Sequence, residues 1–301
     1  MDALYCRVPA DHRRSPIHYY EDGTLFVQAG NVMFRVSEAM LCGRAPALRQ
    51  VLLRRRQHGP AGRDEEHPVV IDDVEADELN HFFTFLWGKS SNQEPQDADP
   101  DAEEEEPGVD GLMAILRLSV LFRVKGGKRY AVRRLEMHED FSEAQRLMMG
   151  LECDVAGWFE SALRWLINWP TSQWTAEEME VIDKGIFAKI LALQHEINVH
   201  HHFHAFHPHS PITTCEWLDS NHCTAAWAKT WAAQAAHLLT DPDRCDVSPL
   251  AEAIMSMRTS NADMCSSCRT AHLLGLEHLL SQDGRAIEGL IEALKEEYNV
   301  D

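Results

Sequence analysis

The hydrophobic residues change their period early in the chain, and that change limits the fold more than any other feature. TLFVQAG (24–30) and NVMFRVS (31–37) alternate with period two: Leu25 and Val27 share one face, and Val32, Phe34 and Val36 share another. Ala29, Gly30 and Asn31 supply the turn between them, so a hairpin is predicted. Ser37 can cap a helix starting at Glu38, with Leu41, Ala45, Leu48 and Leu52 at helical spacing. Pro46 should divide that helix in two, since proline suits a first turn and disrupts an interior. HPVVIDD gives a third strand at Val69–Ile71. Asp73 can open a further helix through Trp87, with an apolar stripe of Leu79, Phe82, Phe83 and Leu86.

Everything later reads as helix. LMAILRLSVLFRV is closed by Gly126 and Gly127, and KRYAVRRLEMHE opens the next helix. From Phe141 the segments FSEAQRLMMGLE, VAGWFESALRWLINW and AEEMEVIDKGIFAKILALQHEI follow, then a run from Cys215 to Leu239 and a final pair around a break at Gly284. Trp158, Trp165 and Trp169 recur on one helical face and are expected in the core. The expected class is α+β: a small three-stranded sheet with helical hairpins, then an all-α region.

Charge excludes some partners. The formal net charge is −20, from 28 basic and 48 acidic residues, which opposes general binding to nucleic acid or to an anionic membrane. Nine acids lie between Glu94 and Asp110 with no basic residue among them, so a disordered acidic insert is expected at about 90–110. Arg54–Arg56 and the set Lys125, Lys128, Arg129, Arg133 and Arg134 read as solvated faces, the second close enough in sequence to dock the insert. No apolar run reaches the roughly 18 residues of a membrane span, and the first residues have no apolar core of a secretory signal.

Seven of the seventeen histidines fall between His195 and His209. His195-Glu196 is followed by His200 at a spacing of five, which misses the H-E-x-x-H face of a zinc peptidase. Pro208 and Pro211 punctuate the tract, so a surface loop is expected at about 198–212. The competing expectation is a metalloenzyme that holds its ion with His200–His209 and distant carboxylates.

The eight cysteines lack the density of a disulfide-stapled secreted module, which favours a cytoplasmic or nuclear setting. Cys265-Ser-Ser-Cys268 has the spacing for adjacent vertices of a tetrahedral ion. Upstream, TTCEWLDSNHCTAAW offers Cys215 and Cys223, with His222 in reserve. Two readings of these residues stand side by side: a structural zinc on Cys215, Cys223, Cys265 and Cys268, and buried thiols acting as small apolar groups. A redox dithiol needs a strand-to-helix context that this helical region lacks. No phosphate loop and no G-x-S-x-G elbow occurs, and catalytic residues are not expected.

EDGTLFVQAGNVMFRVSEAML, VVIDDVEADELNHFFTFLW and LMAILRLSVLFRVKGGKRYAVRRLE together resemble the BTB/POZ domain, in the order hairpin, split helix, strand, helix and closing helix pair. Leu116, Leu118, Ser119, Phe122 and Val124 occupy the places of an "LRLA-x-x-Y-x-V" pattern common in that family. FSEAQRLMMGLECDVAGWFESALRWLI, EEMEVIDKGIFAKIL and the late Cys-x-x-Cys resemble the carboxy-terminal half of an expanded fungal group of BTB proteins. The resemblance implies an amino-terminal tail over 1–16, a BTB/POZ domain over 17–140 and a helical region over 141–301. It also implies a non-enzymatic protein-interaction adaptor, serving ubiquitin ligation or transcription, whose partners are other proteins or further copies of itself.

Overall fold

The computed structural model describes residues 12–57, 59–88, 107–207, 215, 220–240 and 264–300. Contacts divide the chain into two units, Met1–Phe141 and Ser142–Asp301. The first is mixed α+β and the second is helical throughout its described residues.

In the first unit β2 (Leu25–Ala29) and β3 (Val32–Val36) form the antiparallel hairpin, in register from Leu25 opposite Val36 to Ala29 opposite Val32. Gly30 turns it at φ 52°, a left-handed conformation that glycine adopts without a Cβ penalty. The short β4 (Val69–Val70) joins β2 in parallel.

A fourth strand corrects the expected three. β1 (Arg13–Tyr19) pairs in parallel with β3, giving the order β1-β3-β2-β4. Residues 13–16, expected as tail, therefore lie in the sheet. Pro16 and two arginines hide the strand from pattern reading, yet proline is tolerated because β1 lies at the sheet edge. Buried Ser15 and His18 hold it from the inner side. Ser15 Oγ lies 3.1 Å from Asn80 Oδ1, and His18 Nε2 lies 3.1 Å from Asn80 O and 3.0 Å from Thr84 Oγ1.

Helices α1 (Glu38–Arg44) and α2 (Pro46–Arg56) follow the hairpin. Ser37 Oγ accepts the N–H of Met40, and Pro46 opens α2 as its spacing predicts. Arg56 forks onto Glu38 at 2.6 and 2.8 Å and Arg55 donates to Val70 O, so two of the three consecutive arginines bind the fold itself. The third helix starts later than Asp73, which sits at φ 60°. α3 spans Ala76–Trp87, and Glu75 N–H donates to Glu78 Oε2. Its Phe83 meets Phe34 edge-on at 5.5 Å, and Phe82 meets Phe122 at the same distance.

α4 (Val109–Leu121) and α5 (Lys125–Met137) complete the unit. Val109 and Asp110, expected within the acidic insert, form the first turn of α4; the rest of the insert, to residue 106, lies outside the described residues. Gly126 and Gly127 stand in the first turn of α5, not at the end of α4, and Gly127 lets the two helices meet beside Ser119.

In the second unit α6 (Glu143–Cys153) and α7 (Trp158–Asn168) meet where Gly150 leaves room for the backbone of Phe159. α8 (Ala176–Val181) leads to α9 (Lys184–Phe206), whose N-terminus is capped by Asp183. α10 (Ser220–Gln234), α11 (Ala236–Leu239) and α12 (Ser266–Tyr298) follow. One core joins Leu147, Phe159, Leu163, Ile186, Ile190, Ile291 and Leu294; another joins Ala205, Trp227, Trp231, Leu239, Met264 and three cysteines.

Three expectations are corrected here. The histidine tract is helical through Phe206, because the prolines act only from residue 208 and Ala205 is buried against the second core. α12 runs unbroken through Gly284, a cost of about 1 kcal/mol that packing on both sides can absorb. Only Trp158 of the three aligned tryptophans is buried. Trp165 and Trp169 stack on each other at 4.8 Å at the surface, since the buried face of α7 is Phe159, Ala162, Leu163, Leu166 and Ile167.

Candidate metal centre

Four sulfurs converge at one end of the second unit. Cys223 sits in the first turns of α10, Cys265 is the N-cap of α12, Cys268 lies in that helix's first turn, and Cys215 comes from the segment before α10. Cap and third position on one helix end face the same way, which is what Cys-x-x-Cys spacing provides. The helix N-terminus also presents partial positive charge to both sulfurs.

The four Sγ atoms all lie within 4.8 Å of one another, with 3.6 Å between Cys215 and Cys223 and 3.8 Å between Cys215 and Cys265. A zinc–sulfur bond of about 2.3 Å in a tetrahedron puts its sulfurs about 3.8 Å apart. A disulfide needs about 2.05 Å, so no pair is bonded. The Cys265 N–H donates to Cys223 Sγ at 3.5 Å, a contact that suits a sulfur carrying negative charge.

The surroundings are apolar. Cys223, Cys265 and Cys268 are buried and Cys215 is half-buried. Trp227 and Trp231 continue the Cys223 face of α10, and the indole N–H of Trp231 donates to Ala205 O at 3.0 Å. His272 stacks on Trp227 at 4.3 Å. Such a four-sulfur set, buried except at Cys215, fits a structural ion whose four positions are all taken by protein donors. His222 is exposed and its ring does not join the four converging donors.

The histidine tract has a different geometry. His200 and His201 both reach Asp283 of α12, at 3.0 and 2.8 Å, and His204 lies over His200. His202 turns outward and bonds Asn198 O, and His207 bonds Phe203 O; His209 lies outside the described residues. A spacing of four, His200 to His204, was the available signal for this arrangement.

No family model, curated protein or solved structure matches the chain. Among the described residues no helix is long and apolar enough to cross a membrane.

Proposed function

We propose that the chain is a non-enzymatic protein-interaction module of the BTB/POZ type, whose helical second unit is held at one end by a structural zinc on Cys215, Cys223, Cys265 and Cys268. The observation that carries the reading is the order and pairing of the first unit. A hairpin (β2, β3) is followed by a split helix (α1, α2), a strand returning parallel to β2 (β4), a helix (α3) and a helix pair (α4, α5). Supporting it, α2 exposes Val51 and Leu53 on the two flanks of its buried Leu52, apolar side chains that a partner can cover from either side. The partner is a protein, met in the cytosol or nucleus, and the role is that of an adaptor or scaffold.

The test is affinity capture from a native extract with wild type and with Val51→Glu/Leu53→Glu, alongside light scattering of the purified chain. A stoichiometric partner, or a homo-oligomer, that is lost in a variant with unchanged melting temperature supports the reading. Capture unaffected by the variant, together with turnover of a substrate by the purified chain, overturns it.

A further inference from the structure

We propose that His200 and His204 form a second metal site, separate from the four cysteines: a two-imidazole chelate for a divalent transition metal, oriented by the buried carboxylate of Asp283. The two rings project from one face of α9, four residues apart, and their Nε2 atoms lie 3.0 Å from each other. An ion bonded to both at about 2.0–2.1 Å, with an angle between 90° and tetrahedral, holds its nitrogens about 2.9–3.4 Å apart. The observed separation falls in that range; an ion entering there replaces the hydrogen bond between the two rings, and His204 then carries its proton on Nδ1 and presents its Nε2 lone pair.

Asp283 supplies the second half of the argument. Its side chain is 3% exposed, and Oδ1 lies 3.0 Å from His200 Nδ1. A neutral His200 that donates its Nδ1–H to this carboxylate must present a lone pair at Nε2, the tautomer that a metal requires. The other oxygen, Oδ2, is held at 2.8 Å by the buried His201 Nε2. His201 is therefore a positioning residue: it fixes the carboxylate that fixes the ligand.

The class of ion follows from the donors. Imidazole nitrogen suits zinc, copper and nickel over calcium or magnesium. The His200 side chain is 28% exposed, so the remaining coordination positions face water. Two protein donors and open positions describe an exchangeable site, able to take a further ligand from a second molecule.

The experiment uses the full, untagged chain after zinc has been supplied to its thiols, titrated with nickel(II) by calorimetry. The expected result is about one equivalent bound at this site, with affinity about 10–100-fold lower in Asp283→Asn and at least as low in His204→Gln. His202→Gln, altered on the outward face of the same helix, should stay within about twofold of wild type. No nickel uptake by wild type, or equal affinity in His204→Gln and wild type, overturns the proposal. Should the variants lose their fold by circular dichroism, proton NMR of wild type decides: nickel must broaden the ring signals of His200 and His204 first, and selective broadening of His202 or His207 instead refutes it. Zinc content, read in parallel, keeps this outcome distinct from the fate of the cysteine centre.

Discussion

Withdrawing zinc should loosen the second unit by a measurable amount. An ion that binds only the folded chain stabilises it by about 4 kcal/mol when its free concentration is a thousandfold above the dissociation constant. The unit Ser142–Asp301 belongs to the size range in which 1 kcal/mol moves the melting temperature by about 2–4 °C. Chelation should then lower that transition by roughly 8–16 °C. Trp227 and Trp231 lie in the same core as Cys223, Cys265 and Cys268, so tryptophan fluorescence reads the event directly. Cys268→Ser, which removes one vertex, should show the low transition at once and no further response to chelator. Four apolar thiols without an ion behave differently: chelator leaves wild type unmoved. A shift below about 2 °C on chelation, or less than about half an equivalent of zinc in protein purified without chelator, refutes the reasoning.

His18 is buried, and burial pushes its pKa below the ordinary value, against a smaller raising effect from its bond to Asn80. The unfolded chain therefore takes up this proton first, so stability is full above about pH 6.5 and falls as pH drops toward the folded value. Urea midpoints between pH 7.5 and 5 should show this slope, and His18→Asn should flatten it; an identical slope counts against the assignment. Gly150→Ala places a Cβ 2.7 Å from the backbone nitrogen of Phe159 and should cost about 1–3 kcal/mol, read as a lowered melting temperature. Gln194 donates to the carbonyls of Leu166, Ile167 and Trp169 at the end of α7. Gln194→Leu should cost about 1–3 kcal/mol by chemical denaturation, because the buried carbonyls of Leu166 and Ile167 lose this donor, while Trp169 O keeps the indole N–H of Trp174.

What the sequence made legible was local. The hairpin, the Ser37 cap and the break at Pro46 follow from residues within a few positions of each other, and the structure shows each of them. What it hid was decided by distant partners. β1 exists because Asn80 and Thr84, more than sixty residues away, bind Ser15 and His18. Helix α9 continues through its histidines because Trp231 and Asp283 anchor Ala205, His200 and His201 from other helices. Prolines and imidazoles signal a loop when read alone, and only tertiary packing reverses that reading. The cysteine set was legible in identity from the Cys-x-x-Cys, but the approach of Cys223 to Cys265 depends on α10 lying against the start of α12.

Two long helices pass through both cores of the second unit. α9 carries Ile186 and Ile190 in one core and Ala205 in the other, while α12 carries Cys265 and Cys268 in one and Ile287, Ile291 and Leu294 in the other. They act as paired beams clamped at each end. A disturbance at the sulfur end travels along rigid rods into the aliphatic end, so the unit should yield as one body, with amide exchange at Ile291 reporting damage done at Cys268.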